Sequence, residues 1–214
     1  MRSNAAELIV RQRQLAGQVD RSNALINDPQ TVAGIDVAFP ERGQVTRAAA
    51  VLLSFPELET IDQAIAELPT ALPYIPGLLS FRELPAALAA LEKLNQRPDL
   101  VLCDGQGLAH PRRFGIACHL GVVSGLVTVG VGKSRLCGRF EEPGRERGAL
   151  SPLLEGEEVI GSVLRTRAGV KPVFVSVGHR IDLDRAVALV LRCTPRFRLP
   201  EPIRQADRLA GGKR

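Results

Sequence analysis

Hydrophobic residues follow two different spacings in the first half of this chain. Residues 31–39 and 45–55 are rich in β-branched and small apolar residues, and Gly43 lies in the turn between them. This pattern predicts a β-hairpin. In residues 81–94, by contrast, leucines recur every three or four positions, which indicates a helix with one apolar face.

Strands and helices alternate in the rest of the chain. Further strands are predicted at residues 57–63, 100–103, 127–131, 159–166 and 173–177, and further helices at residues 4–20, 116–123, 184–192 and 203–210. Prolines break residues 69–80 into a loop, and residues 139–157 form a charged surface excursion. Hairpin strands followed by alternating strands and helices favour one three-layer α/β domain, residues 1–214, with a mixed sheet.

Composition places the chain among ordinary globular proteins. Of its 214 residues, 45% are hydrophobic and 24% are charged, which argues against a disordered chain, a collagen or a coiled coil. The formal charge of +5 suits a polyanionic partner, although an unremarkable basic surface explains it equally well. The four cysteines lack the spacing of a zinc site. Without an apolar secretory stretch or a membrane span, we expect a cytoplasmic protein.

Three carboxylates lie where they could meet. Asp36 lies within the first predicted strand, between the small residues Gly34 and Ala38 on its own face, and a buried carboxylate is costly unless it is paired or binds a metal. Asp104 ends a strand, where open α/β sheets tend to bind ligands, and Glu83 begins a helix. Together they would suit Mg²⁺ or Mn²⁺ and phosphodiester chemistry. Alternatively, each is a structural acid: a hydrogen-bonded Asp, a turn and a helix-dipole partner.

Two polar residues and one loop extend this hypothesis. Lys133 follows a predicted strand and suits the binding of a phosphate, and His179 suits the activation of a water or the binding of a second metal. A solvated or hydrogen-bonded surface role explains either residue equally well. The sole tyrosine, Tyr74, lies in a loop that Pro73 and Pro76 stiffen. An ordinary proline turn or a wedge that enters a base stack would both fit this loop.

Five motifs follow one another along the chain: GIDVAFP, YIPGLLSFRE, PDLVLCDGQGLAHPRRFGIACHLGV, GVGKSRLCG and VFVSVGHRIDLDRA. In this order and spacing they resemble the motifs of the endonuclease V family, the deoxyinosine 3′ endonucleases. The resemblance covers nearly the whole chain. It implies a ribonuclease H-like fold, in which a mixed central β-sheet is flanked by helices.

The resemblance also implies a catalytic set and a substrate site. Asp36 and Asp104 would bind the metal directly, and Glu83 would act through water or on a second metal. His179 and Lys133 would complete the catalytic set. The strand-separating wedge would be Pro73, Tyr74, Ile75 and Pro76, and the pocket for a flipped hypoxanthine would be lined by Gly77, Leu79, Gly105 and Ile116, with His110 in a supporting role.

The activity that the resemblance implies is a metal-dependent nick in DNA at the second phosphodiester bond 3′ of deoxyinosine. The products would be 3′-hydroxyl and 5′-phosphate ends. Mg²⁺ is the expected cofactor, with Mn²⁺ as a substitute, and a monomer is expected. Inosine in RNA is an alternative substrate, and a non-catalytic lesion-binding module is an alternative role. A phosphotransferase of the sugar kinase–actin type would need a second similar domain, which this sequence does not show.

Overall fold

The computed structural model describes residues 5–212, which form one eight-stranded sheet with flanking helices. The strands are β1 (Thr31–Ala38), β2 (Val45–Ser54), β3 (Thr60–Pro69), β4 (Leu100–Asp104), β5 (Thr128–Gly132), β6 (Leu150–Glu155), β7 (Glu158–Leu164) and β8 (Val173–His179). The helices are α1 (Ala5–Ala16), the single turn α2 (Pro40–Gly43), α3 (Leu79–Glu92), α4 (Ile116–Ser124), α5 (Leu183–Arg192) and α6 (Glu201–Ala210). Residues 1–4 and 213–214 of the predicted domain lie outside this description.

The direction of the strands decides which ends of the sheet can form a site. The spatial order is β3-β2-β1-β4-β5-β8-β7-β6. β1 is parallel to β4, and β4 is parallel to β5, so these three strands end at the same edge of the sheet. β8 is antiparallel to β5 and therefore ends at the opposite edge. The predicted mixed sheet is confirmed.

Helices cover both faces of the sheet. Ile35 of β1 shares one buried hydrophobic cluster with Leu84 and Ala87 of α3. Val32, which points to the other face, belongs to a second cluster that includes Ile203 of α6. Because successive side chains of a strand alternate between faces, α3 and α6 lie on opposite sides. The three-layer architecture expected from the sequence is therefore present.

Gly34 lets α6 approach β1 closely. A Cβ atom on Gly34 would overlap the backbone of Pro202 at the start of α6, so a residue with a side chain would force the two elements apart. The close approach places α6 alongside the half of β1 that carries Asp36. Among residues 5–212, no helix is both long and apolar enough to cross a membrane.

Two edge strands differ from the predictions. β3 begins later than predicted and continues to Pro69, where it pairs with Val45 of β2. Most of its residues are exposed and several are polar, so the sequence pattern that would mark it as a strand is weak. β6 lies inside residues 139–157, for which the sequence predicts a charged surface excursion, and it pairs with β7. Pro152 within β6 lowers its strand signal, and an edge strand tolerates a proline because one side of it has no partner.

Candidate active site

A cluster of carboxylates lies where β1 and β4 end. The register pairs Ile35 with Cys103, so Asp36 and Asp104 occupy neighbouring positions one residue further along. Asp207 of α6 joins them, and one carboxylate oxygen of each aspartate lies within 4.8 Å of the others. The structure therefore brings together the two residues predicted to bind a metal and adds a third.

Asp207 is a site residue that the sequence-based predictions miss. Its signal lies in the helical spacing of α6, in which Ile203, Ala206 and Ala210 are fully buried. Asp207 lies four residues after Ile203 and so falls at the edge of the same stripe. Asp207 itself is exposed, so it lies at the border between the buried and the solvent-facing sides of α6. The sequence does not show, however, which strand ends that stripe would meet.

Burial and mutual repulsion raise the pKa values of two acidic groups. Burial raises the pKa of Asp36 to about 7, and the charge of Asp104 adds to this effect. Burial also raises the pKa of Glu83 to about 8, with contributions from the charges of Asp36 and Asp104. Carboxylates that are crowded and desolvated in this way favour the binding of a cation, which offsets their repulsion.

Lys133, which follows β5, pairs with two of the aspartates. Its Nζ atom lies 2.5 Å from Asp104 Oδ2 and 2.8 Å from Asp207 Oδ1. Burial by itself would lower the pKa of the Lys133 ammonium, but these two interactions outweigh it and raise the pKa. The side chain is 41% exposed. A permanently charged ammonium therefore lies at the rim of the cluster, within reach of solvent.

The donor set fits a hard divalent cation. The cluster of Asp36, Asp104 and Asp207 contains carboxylates and no histidine or cysteine. Carboxylate oxygens suit Mg²⁺ and Mn²⁺, whereas zinc sites usually include imidazole or thiolate ligands. Asp207 is exposed while the other two are partly buried. One side of the cluster is thus open to a substrate.

A cavity of about 230 Å³ adjoins the carboxylates. Glu83 of α3 and Asp104 both form part of its wall, although Glu83 lies outside the group of three aspartates. The pocket residues expected from the sequence line this cavity together with the wedge tyrosine: Tyr74, Gly77, Leu79, Gly105, His110 and Ile116. Lining residues that were not predicted include Ser80, Gln106, Phe114 and Leu136. The structure therefore brings the two predicted parts of the site together.

Gly105 keeps the cavity open. Its φ of +150° is a conformation that L side chains rarely adopt, and a Cβ atom there would lie 2.7 Å from Ile116 Cγ2. A glycine at this position lets the backbone itself form the wall. The Gly105 N–H itself donates to the Val131 carbonyl over 3.3 Å, which ties this wall to β5.

The predicted wedge forms a tight turn at the mouth of the cavity. The Leu78 N–H donates to the Ile75 carbonyl over 3.0 Å, and Gly77 between them has φ +76°. Proline followed by glycine at the two central positions is typical of a type II turn. Tyr74, just before this turn, is 65% exposed. Pro73 and Pro76 are also exposed, whereas Ile75 is half-buried.

His110 is held as a neutral ring in the cavity wall. Its Nδ1 atom accepts a hydrogen bond from the Arg112 backbone N–H over 3.1 Å. Burial, followed by the charge of Arg112, lowers the pKa of His110 to about 4. The ring therefore carries its proton on Nε2 at neutral pH. This geometry suits a hydrogen-bonding role more than a cationic one.

His179 is not part of this site, which corrects the expectation that it belongs to the catalytic set. It ends β8, and it pairs with Thr128 at the first residue of β5, whereas Asp104 pairs with Val131 near the end of β5. The antiparallel direction of β8 thus places His179 at the opposite edge of the sheet, roughly 10 Å away at about 3.3 Å per strand residue. There its Nδ1 atom accepts a hydrogen bond from the Asp20 N–H over 3.1 Å.

The sheet order and the carboxylates at the ends of its parallel strands define a ribonuclease H-like nuclease. Comparison with known proteins gives the family. The sequence model for endonuclease V matches residues 13–208. An endonuclease V of Trichormus variabilis is 53% identical over 207 residues, which cover 97% of this chain and 94% of that protein. The chain therefore belongs to the endonuclease V family, and it is an endonuclease.

Solved structures agree with this assignment. The crystal structure of the endonuclease V of Streptomyces avermitilis has a TM-score of 0.92 and 47% identity, and the match covers 98% of this chain and 92% of that one. Endonuclease V of Ciona intestinalis, in complex with DNA containing an inosine followed by a ribo-adenosine, has a TM-score of 0.86 and 30% identity, with 97% and 96% covered. The ribonuclease H-like fold is confirmed. Nucleases of this family depend on a metal ion, in agreement with the carboxylate cluster.

Proposed function

We propose that this endonuclease nicks DNA at the second phosphodiester bond 3′ of deoxyinosine and leaves 3′-hydroxyl and 5′-phosphate ends, with Mg²⁺ as its cofactor and Mn²⁺ as a substitute. The observation that carries this proposal is the shared wall between the cavity and the carboxylates, formed by Glu83 and Asp104. A base held in the cavity would lie beside the groups that cleave its own strand. The Ciona relative bound to inosine-containing DNA supports the same substrate.

Recognition of the base would depend on the backbone of the cavity. Hypoxanthine presents an acceptor at O6 and a donor at N1, the reverse of adenine on that edge. Gly77 and Gly105 both line the cavity, and neither brings a side chain of its own into it. The Gly77 carbonyl already accepts hydrogen bonds from Gln12 and Arg112, so the reading would fall to the other backbone groups of this wall. Guanine carries an additional exocyclic amine, which a narrow cavity would exclude. A flipped nucleotide read in this way is the usual solution for enzymes that act at a single base.

The wedge would supply the unstacking. Tyr74 is exposed beside the mouth of the cavity, and Pro73 and Pro76 restrict the loop that carries it. Ile75, between them, is half-buried and anchors the loop. Inserting an apolar or aromatic side chain into a base step costs unstacking energy, which contacts in the cavity then offset.

The carboxylates would hold the metal, and Lys133 would act on the phosphate. Asp36, Asp104 and Asp207 are the residues that would bind Mg²⁺, which supplies an activated water and stabilises charge on the leaving 3′-oxygen. Lys133 already lies against Asp104 and Asp207, so its ammonium can stabilise the charge that develops on the phosphate. Glu83, in the wall between cluster and cavity, would orient a water by hydrogen bonding or act on a second metal.

The test is cleavage of an end-labelled duplex that carries one deoxyinosine. With Mg²⁺ we expect a single nick one nucleotide 3′ of the lesion, with no product in EDTA and none from the undamaged control. Ligation of the product by a DNA ligase would confirm the 3′-hydroxyl and 5′-phosphate ends. A folded enzyme that cuts neither with Mg²⁺ nor with Mn²⁺ would show that the proposal is wrong and would favour a non-catalytic lesion-binding module.

Inosine in RNA is the second candidate substrate. The Ciona complex contains a ribo-adenosine directly after the inosine, so the site of a relative accepts a ribonucleotide beside the lesion. A matched inosine-containing RNA in the same assay separates the two substrates. Faster cleavage of the RNA than of the DNA at equal enzyme would assign the RNA function instead.

The remaining expectations belong to the same proposal. A continuous sheet across the described residues supports one domain over residues 1–214, and a core of its own supports a monomer. Cys103, Cys118, Cys137 and Cys193 are free thiols, which supports a reducing compartment such as the cytoplasm.

A further inference from the structure

A buried glutamine in α1 contacts the loops that form the cavity. Gln12 is 0% exposed, although it lies on a helix at the start of the described chain. Its Nε2 atom donates to the carbonyls of Gly77, over 2.9 Å, and Phe114, over 3.0 Å. Its Oε1 atom accepts from Arg112 Nε. Both hydrogens of the amide nitrogen and its oxygen are therefore used.

The hydrogen bond from Gln12 to the Gly77 carbonyl holds the wedge turn from a helix that is not part of the turn. The Gly77 carbonyl also accepts from Arg112 Nη2 over 2.7 Å. The N–H of the same peptide unit, which belongs to Leu78, donates to the Ile75 carbonyl. Both polar ends of the Gly77–Leu78 peptide are thus occupied, one of them by Gln12. Tyr74 lies only three residues before this peptide.

The contact at Phe114 joins the turn to the far wall of the cavity. Gly77 and Phe114 both line the cavity, and Gln12 donates to both of their carbonyls. Arg112, which also reaches Gly77, is directed towards that carbonyl by the Gln12 oxygen. One side chain therefore sets the spacing between two walls that are 37 residues apart in the sequence.

We infer that Gln12 is a positioning residue for base recognition, which holds the wedge turn and the Phe114 wall at the spacing that a flipped base requires. It acts through Gly77, Phe114 and Arg112 rather than by contact with the nucleic acid. This inference rests on the proposed function of the cavity. A planar amide suits the position because it combines donors and an acceptor on one group.

The substitution Gln12→Met tests the inference with little change of volume. It removes all three hydrogen bonds, so we expect the wedge turn to move more freely. Gln12→Glu is the second variant: it retains an acceptor for Arg112 but places a carboxylate against two carbonyl oxygens. Gln14→Met is the matched control, since Gln14 is on the same helix and exposed.

The first measurement needs no activity, because the chain has one tyrosine and no tryptophan. Intrinsic tyrosine fluorescence therefore reports Tyr74 alone. We expect lower anisotropy and stronger quenching by acrylamide in Gln12→Met and Gln12→Glu, and no change in Gln14→Met. Unchanged Tyr74 fluorescence in two folded Gln12 variants would overturn the inference, whatever the enzyme cleaves.

The second measurement compares single-turnover cleavage of deoxyinosine in a duplex and in a single strand. We expect Gln12→Met to lower the single-turnover cleavage rate on the duplex by about tenfold or more. This is within the roughly 100-fold loss of rate that a misplacement of about 1 Å can cause. On the single strand, which needs no strand separation, the loss should be smaller. Equal losses on both substrates, in step with a lower melting temperature, would mean that Gln12 is only structural. A wild-type enzyme that cuts neither substrate would refute the proposed function and leave the fluorescence result as the test of Gln12.

Discussion

The carboxylate cluster and the base cavity share a wall, yet they are built from different kinds of structure. Asp36 and Asp104 lie at neighbouring positions near the ends of two paired strands, and a helix packed on β1 supplies Asp207. The cavity is lined largely by loops, and side chains from elsewhere hold its Gly77 carbonyl. The proposed chemistry thus lies on the regular scaffold and the proposed recognition on loops. Substitutions should therefore separate cleavage from lesion binding.

The largest expected effect is on the cluster. Asp36→Asn and Asp104→Asn should each lower the nicking rate by about 10²–10³-fold or more, because each removes charge needed for metal binding and for transition-state stabilisation. Asp207→Asn should also impair cleavage. Affinity for a deoxyinosine duplex, measured by gel shift, should change much less because the cavity is intact.

The matched control for these variants is Asp184→Asn, which changes an exposed acid in the first turn of α5. It should cut at the wild-type rate. Near-normal nicking by a purified Asp36→Asn enzyme would refute the assignment of Asp36 as a metal ligand. A parallel loss of binding and cleavage would mean that the two parts of the site are not separable.

A smaller effect is expected at the wedge. Tyr74→Ala should reduce nicking of duplex deoxyinosine by about tenfold, since base–aromatic stacking contributes about 1–3 kcal/mol. Nicking of the same lesion in a single strand should fall less, because no strands need separating. Tyr74→Phe, which keeps the ring, serves as the control. Equal losses on the two substrates would rule out a wedge.

The carboxylates should also respond to pH and metal in a way that the wedge does not. The pKa values of Asp36 and Glu83 are raised to about 7 and about 8. The stability that these protonated groups confer is present below the ordinary carboxyl pKa of about 4 and is lost as pH rises through 7–8. Metal binding requires the ionised carboxylates, so Mg²⁺ should stabilise the fold more at pH 8 than at pH 6.

Thermal unfolding with and without Mg²⁺ measures this effect. We expect a shift of a few degrees that grows from pH 6 to pH 8 and that Asp36→Asn abolishes. Tyr74→Ala should leave the shift unchanged, because Tyr74 belongs to the wedge. A shift of the same size at both pH values would mean that these carboxylates do not control metal binding.

The sequence predicts a part of the site well where local patterns determine it, and poorly where contacts between residues far apart in the chain determine it. The strands that carry Asp36 and Asp104 follow from local hydrophobic patterns, and the parallel topology then brings the two aspartates together. Asp207 depends on where a distant helix docks, which the close approach at Gly34 decides. Gln12 depends on contacts with residues 65 and 102 positions away. The sequence around Asp207 and around Gln12 contains no local pattern that identifies the residues they contact.

The smallest expected effect is at His179, which sequence motifs place in the catalytic set and topology places at the other edge of the sheet. His179→Ala should leave nicking within about twofold of wild type. It should cost only the hydrogen bond from the Asp20 N–H, a loss of roughly 1 kcal/mol of stability. His110→Ala is the informative contrast. His110 lines the cavity, so this substitution should lower activity on duplex deoxyinosine. A large loss of cleavage in a stably folded His179→Ala enzyme would mean that His179 acts on the substrate from the opposite edge of the sheet. The assignment of the whole active site to one edge of the sheet would then be wrong.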